Sequence, residues 1–325
     1  MTNASKQRLG IVLSTVTEGS PQEFAEIGQL AEANSYESVF VNEGRGDARA
    51  CAEAIALGTQ RIDTGTNIAN IYFRHPFLAA ATTRIVAELS AGRFILGLGM
   101  SHRSMLSSLG IDMGNARDAL QNYIESVVSG LRGEAGTRIL KQPLSKFSAP
   151  VYVAGNTVES AAIAGKFGDG LMPFLTPLSH LPTLIEAARD GRSESGRDGA
   201  TLGCILSIPT FVSEHEAAAR SAARYNLAFF AQLPNYRRQW RRAGFKTAMD
   251  SVQEILKAGT RKEAATQIPD ALIDEVCVFG TPERCRRQLQ AFRDAGADVP
   301  LLAVSPVNED RLTATRTAIT ALAPD

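Results

Sequence analysis

Short apolar runs alternate with longer stretches of helical spacing along nearly the whole chain, and this alternation constrains the fold more than any other feature. A strand covered on both faces reads as a continuous apolar run, whereas a helix lying on such a sheet keeps its apolar residues three and four apart. Eight runs have strand character: Leu9–Ser14, Ser38–Asn42, Ile62–Asn70, Phe94–Gly99, Val151–Ala154, Gly170–Phe174, Leu202–Val212 and Leu301–Val304. Repeated strand–helix units build a parallel sheet, and eight of them can close on themselves. The expected fold class is therefore α/β, a (β/α)8 TIM barrel. With 325 residues available, one barrel domain can occupy residues 1–325, because such barrels routinely exceed the usual domain length.

The helical stretches carry their own punctuation. Pro21 opens "PQEFAEIGQLAEAN", and Thr176-Pro177 precedes "LSHLPTLIEAARDG", where Gly191 could close the helix in a left-handed conformation. "GTPERCRRQLQAFRDAG" repeats the design with Thr281 as N-cap. The longest inter-strand segment, about Ser213 to Phe279, reads as several helices without a compact second core, hence as a helical insertion between strands seven and eight. "DGRSESGRDGA", Asp190 to Ala200, is polar and glycine-rich and reads as an exposed loop.

Charge excludes some partners. Lys+Arg and Asp+Glu both number 34, so no global field favours nucleic acid or an anionic membrane. The run "YRRQWRR" (Tyr236 to Arg242) reads as a solvated helix face rather than an RNA-binding patch. Cys51, Cys204, Cys277 and Cys285 lie far apart without a C-x-x-C pair, so reduced, mostly buried thiols are expected. "MTNASKQRLGIVLS" lacks the apolar region of a secretory leader, and no apolar stretch reaches membrane-spanning length. Together these features point to a cytoplasmic protein with a small-molecule substrate.

Chemistry concentrates where apolar strands turn polar. "GRFILGLGMSHRSM" passes through Gly97 and Gly99 and then into Ser101, His102, Arg103 and Ser104. The spacing is not the dinucleotide fingerprint G-x-G-x-x-G, because His102 stands where its third glycine would be. On a barrel this loop lies at the C-terminal face, where active sites are built. The second strand ends in "NEGRGDAR", with Glu43, Arg45, Asp47 and Arg49, and the third in "GTNIANIYFRHP". After the fifth, Gly155, Asn156 and Thr157 open a helix whose N-terminus could either receive a phosphate or carry an ordinary cap. His102 is the one histidine expected at a strand's C-terminal end, where an imidazole can deliver a proton near neutral pH. His75 reads as structural or cofactor-adjacent; His180 and His215, at helix starts, read as solvated. No H-E-x-x-H or clustered ligand spacing indicates a metal, and no G-x-S-x-G elbow indicates a serine hydrolase.

The run "RIDTGTNIANIYFRHPFLAAATTRIVAELSAGRFILGLGMSH", Arg61 to His102, resembles the bacterial luciferase-like superfamily, and within it the branch that uses the 5-deazaflavin coenzyme F-420 and includes methylenetetrahydromethanopterin reductases. "LPNYRRQWRRAGF" and "IPDALIDEVCVFGTPERCRRQL" agree with it, and the similarity extends from Leu9 to about Pro306. The resemblance implies a (β/α)8 barrel, often dimeric, holding a flavin or deazaflavin at its C-terminal mouth. It implies a non-prolyl cis peptide at Asn67–Ile68 backing the ring. Gly99, Met100, Ser101, His102 and Arg103 would wrap the cofactor's side chain and phosphate, and Gly155, Asn156 and Thr157 would form the second phosphate-side loop. Glu43 falls where relatives place an acid near the ring or ribityl hydroxyls. Alcohol and sugar-phosphate dehydrogenases of this branch usually carry a histidine directly after that acid, here Gly44, and an acid where this chain has His102.

That departure turns the expectation towards reduction, with His102 and Glu43 as catalytic residues. In the favoured reading, reduced coenzyme F-420 gives a hydride to an electron-poor C=C, C=N or methylene-pterin-like carbon, and His102 or water gives the proton. The alternative is an FMN-dependent luciferase-like monooxygenase, distinguished by its cofactor, since a deazaflavin does not form the required oxygen adduct. A non-catalytic flavin-binding barrel is disfavoured by the polar residues on several mouth loops.

Overall fold

The computed structural model describes residues 7–16, 19–134 and 144–324. Residues 1–6, part of the segment read as lacking a leader, lie outside it. Its strands are β1 (Gly10–Ser14), β2 (Ser38–Asn42), β3 (Asp63–Thr66), β4 (Ala69–Asn70), β5 (Phe94–Gly99), β6 (Val151–Ala154), β7 (Gly170–Met172), β8 (Gly203–Val212), β9 (Val278–Gly280) and β10 (Val299–Val304). Every pairing is parallel, in the order β10-β1-β2-β3-β5-β6-β7-β8, and β10 pairs with β8 to close the ring. β4 resumes the line of β3 along β5 after two residues, so the pair makes one barrel stave. The result is a (β/α)8 barrel.

Beyond shifts of one or two residues at several strand ends, two features differ from the sequence reading. The run Ile62–Asn70 is interrupted at Asn67 and Ile68, a break that apolar periodicity does not reveal. Val278–Gly280, inside the segment read as wholly helical, is a strand on the end of β8, pairing Thr210 with Val278 and Val212 with Gly280. Three residues wedged between two helices are too short to announce themselves.

The outer helices are α1 (Pro21–Ala33), α2 (Ala48–Gly58), α3 (Pro76–Leu89), α4 (Arg103–Ser108), α5 (Ala116–Leu131), α6 (Val158–Phe167) and α7 (Leu181–Glu194). The insertion holds α8 (Glu216–Phe230), α9 (Pro234–Trp240), α10 (Lys246–Ala258), α11 (Arg261–Ala265) and α12 (Asp270–Val276), and α13 (Pro282–Asp294) and α14 (Arg311–Ala321) complete the ring. Their starts follow local chemistry. Ser20 and Glu23 form a capping box on α1, Asp47 caps α2, and Thr281 accepts from the Arg284 N–H at the start of α13. Gly191, by contrast, does not end a helix. It lies inside α7, where a Cβ would meet the Ala162 carbonyl oxygen at 2.2 Å, so it serves close packing of α7 on α6. The segment Asp190 to Ala200 accordingly begins as the last turn of α7 and ends in a 3-10 turn, Gly199–Thr201.

Phe40, Met172, Ile205, Val299 and Leu301 fill the barrel interior, with Ile68 against them, while a larger apolar layer joins barrel to helices. Each such side chain contributes about 1.5–3 kcal/mol on burial. The insertion also has an apolar cluster of its own, contrary to the sequence reading. Ala219, Ala223, Leu227, Trp240 and Met249 pack there on Phe211 and Phe279. Alanines at helical spacing make the core inconspicuous in sequence. Within "YRRQWRR", Tyr236, Gln239 and Trp240 are buried while Arg238 and Arg242 remain exposed, so only one side of the run is a solvated face. No helix among the described residues is long and apolar enough to cross a membrane. All four cysteines are buried and free.

Candidate active site

The break between β3 and β4 places Asn67 and Ile68 at the C-terminal mouth, and the peptide joining them is cis. Hydrogen bonds fix this bulge from three directions. The Asn67 N–H donates to the Val41 carbonyl (2.8 Å), the Ile68 carbonyl accepts from the Glu43 N–H (3.2 Å), and the Ser207 hydroxyl donates to Asn67 Oδ1 (2.8 Å) from the far side of the barrel. Asn70, 2 % exposed, accepts from the Tyr72 N–H through Oδ1, but its Nδ2 has no partner among the described residues.

The glycines of β5 have packing tasks. A Cβ at Gly97 would meet the Thr66 carbonyl oxygen at 2.0 Å, and the Thr66 hydroxyl bonds both the N–H and the carbonyl of Gly97. At Gly99 a Cβ would meet Ile68 at 2.7 Å and Ala154 at 3.1 Å, so the absent side chain is what admits Ile68. Beyond the strand, Met100 packs on the core and Ser101 takes a left-handed φ of 61°, from which its hydroxyl reaches Met105 Sδ at 3.3 Å. Arg103 is exposed and donates to the Gly114 carbonyl (3.2 Å).

His102 precedes α4 without capping it, which leaves its ring free to turn towards the insertion. The ring meets Tyr236 of α9 edge-on, with centroids 5.6 Å apart. Burial pushes its pKa below the ordinary imidazole value, and a hydrogen bond with the Asn235 side chain pulls the other way. The first two residues of α9 after its proline therefore both address His102. Behind Tyr236, Trp240 Nε1 and Gln239 Nε2 donate to the Leu175 carbonyl (3.0 and 3.2 Å), tying α9 to the loop after β7.

The loop after β6 is engaged internally. Thr157 and Ser160 form a capping box, Asn156 Oδ1 accepts from the Phe174 N–H (3.0 Å), and a Cβ at Gly155 would crowd Leu171 and the first turn of α6. Glu159 already places a carboxylate in that turn, held low by backbone and Thr157 hydrogen bonds and by Arg242 and Arg117.

The structure thus gathers Asn67, Ile68, Gly99, Met100, Ser101 and His102 around one mouth. It places Glu43 beneath them with Oε2 bonded to the Asn70 N–H (2.5 Å) and burial raising its pKa against that bond and Arg49. Sequence reasoning did not find Asn70, Ser207, Asn235 or Tyr236. Ser207 left a trace as a lone hydroxyl in the apolar strand "GCILSIPTFV"; Asn235 and Tyr236 left none, because their role depends on how the insertion folds back.

Comparison with known proteins gives the family and supports the fold. Residues 8–299 match the family model described as luciferase-like monooxygenase. A 5,10-methylenetetrahydromethanopterin reductase of Methanolobus tindarius is 22 % identical over 298 residues, covering 88 % of this chain and 91 % of that protein. The coenzyme F-420-dependent tetrahydromethanopterin reductase of Methanopyrus kandleri superimposes with a TM-score of 0.80 at 18 % identity, over 98 % of this chain and 99 % of that one. An F-420-dependent secondary alcohol dehydrogenase superimposes with a TM-score of 0.74, again at 18 % identity and over 98 % and 99 % of the two chains.

Proposed function

The chain belongs to the luciferase-like monooxygenase family, and from that membership we propose an oxidoreductase that uses reduced coenzyme F-420 to reduce an electron-poor C=C, C=N or methylene-pterin-like carbon. When bound and reduced, the deazaflavin supplies the hydride. The residues present suit such a group. Ile68, seated against Gly99 and Ala154, offers an apolar face, and the unpaired Asn70 Nδ2 offers a buried donor. Ser101 and Arg103 would hold the phosphate side chain, with the loop Gly155, Asn156 and Thr157 beside it, although the Thr157 N–H is already given to Ser160 Oγ (3.1 Å).

The pairing of Gly44 with His102 carries the preference for reduction. At the position that holds an imidazole in alcohol-oxidising relatives this chain has Gly44, whose N–H donates to the Thr15 hydroxyl (2.8 Å) and where a Cβ would displace the exposed Val16 side chain. The imidazole comes instead from the end of β5. His102 would hold a proton at a ring nitrogen and pass it to the atom left electron-rich by hydride addition, while Tyr236 and α9 keep water from the ring. The same reading makes the protein a single-domain, cytoplasmic homodimer acting on a small molecule, without nucleic acid or membrane as partner.

Titration of the purified protein with oxidised coenzyme F-420 and with FMN, followed by absorbance and fluorescence, tests the proposal. Saturable binding of the deazaflavin supports it. Binding of FMN alone, with substrate-dependent oxygen consumption, would instead establish the monooxygenase that the family description allows.

A further inference from the structure

Beneath the mouth lies a buried ion pair for which the cofactor reading has no use. Arg49 of α2 is 1 % exposed and Glu43, just past β2, is 7 % exposed at its side chain; Nη1 and Oε1 stand 3.9 Å apart. None of the three guanidinium nitrogens meets an acceptor in good hydrogen-bond geometry among the described residues, and the Tyr123 hydroxyl of α5 makes only a looser contact with the group. Burying two charges costs several kcal/mol per ion, more than one loose contact returns. The arrangement must serve something other than stability.

Glu43 is bonded to the neighbouring strand at two points. Its N–H donates to the Ile68 carbonyl (3.2 Å), and its Oε2 accepts the Asn70 N–H (2.5 Å). One residue therefore grips the segment that joins β3 to β4 on either side of Ala69. Without the carboxylate, the Asn70 N–H would lose its partner at a point where the strand has just left its ladder. The other titratable groups facing the pair are Asp47 and Arg74, themselves paired with each other across the loop, and Tyr123 of α5.

We propose that Arg49 and Glu43 are a positioning pair: Arg49 holds Glu43 ionised and turned inward, and Glu43 pins Ile68 and Asn70 so that the platform for the cofactor ring keeps one shape. Glu43 then touches neither ring nor substrate, and its role as a catalytic residue passes to positioning. This inference rests on the cofactor site proposed above.

Glu43→Ala and Glu43→Gln separate the idea from simple stabilisation. Both leave Arg49 without a counter-charge, so both lower the melting temperature. Only Glu43→Gln keeps an oxygen for the Asn70 N–H. Amide hydrogen exchange on the cofactor-free protein should show Asn70 exchanging at least 10-fold faster in Glu43→Ala and within about 3-fold of wild type in Glu43→Gln. The Kd for oxidised coenzyme F-420, with FMN as second probe, should follow exchange and not melting temperature. Equal exchange at Asn70 in wild type and Glu43→Ala, or affinities that track stability in both variants, would overturn the pair. Should Glu43→Ala not fold, the Asn70 amide chemical shift in wild type serves: it must move with pH as Glu43 titrates above the usual carboxylate range, and a flat response would refute the contact. A wild type that binds neither cofactor defeats the proposed function, while the exchange comparison still decides the clamp.

Discussion

His102 carries most of the chemistry assigned here, and its surroundings determine when it can act. Burial lowers its pKa, so the free enzyme gains the donatable proton only below the ordinary imidazole range. The kcat/KM for reduction should therefore fall as pH rises through a value below the ordinary imidazole pKa. Asn235→Asp places a carboxylate where the amide now bonds the ring; it favours the charged imidazole and should move that limb to higher pH, read from the pH profile and from NMR titration of the ring. His102→Ala should leave cofactor affinity intact and slow single-turnover reduction by roughly 100-fold, the usual scale for a lost general acid. Unchanged turnover would return His102 to the loop and leave the proton to water. Arg103→Ala should chiefly weaken cofactor binding, in a titration of each variant, since the side chain is exposed and its one bond to Gly114 is replaceable by water. Of these residues the histidine and arginine are legible in the sequence, because a polar cluster ending an apolar run marks a strand's C-terminal end. Asn235 is not, since its contact crosses from one loop to an insertion more than a hundred residues later.

Among the elements, α6 and α7 show how tightly the outer ring is built. A Cβ at Gly165 would come 1.7 Å from the Ala188 carbonyl oxygen, and that neighbour is backbone, which cannot swing aside. Gly165→Ala should force the helices apart and lower stability by about 3 kcal/mol, at the upper end for overpacked cores, measurable by denaturant unfolding. Such glycines mislead a reading that treats every glycine near a polar stretch as a helix end, as with Gly191. Most strand positions of the barrel are readable because buried parallel strands are largely apolar. The break at Asn67 and Ile68 is not readable from that signal, because the stave around it, "DTGTNIAN", is small and polar on both sides and has no apolar run to interrupt; only the family resemblance located it. The insertion hides its core behind alanines for the same reason: burial there comes from spacing and not from size. Trp240 is the exception, fully buried with its Nε1 on the Leu175 carbonyl. Trp240→Ala should cost about 3–5 kcal/mol and loosen α9, and with it the Tyr236 contact, so His102 should become more solvent-exposed and its pKa should rise towards the solvent value, read by NMR titration of the ring.

At the scale of the whole molecule, the closed barrel leaves no sheet edge longer than the three residues of β9, so an assembly must rest chiefly on helix faces. The exposed large apolar residues are not scattered evenly. Leu78, Ile85 and Leu89 lie on one side of α3, seven and four residues apart, and Leu57 is exposed on α2, which packs beside it. A helix in a ring of this kind should be polar on the side facing solvent, and α3 is apolar on both. A two-fold dimer is the simplest arrangement that covers such a stripe, because the same patch on both copies is self-complementary and the assembly closes. Burying a Leu or Ile there contributes about 1.5–3 kcal/mol per side chain and copy. Ile85→Glu should therefore shift the protein to monomer by sedimentation velocity at micromolar concentration, with the fold retained by circular dichroism. The mouth faces along the barrel axis and the stripe lies on the barrel wall, so the monomeric variant should bind cofactor with unchanged Kd. A wild type already monomeric at high concentration would remove the dimer and leave the apolar stripe on α3 without a purpose in this fold.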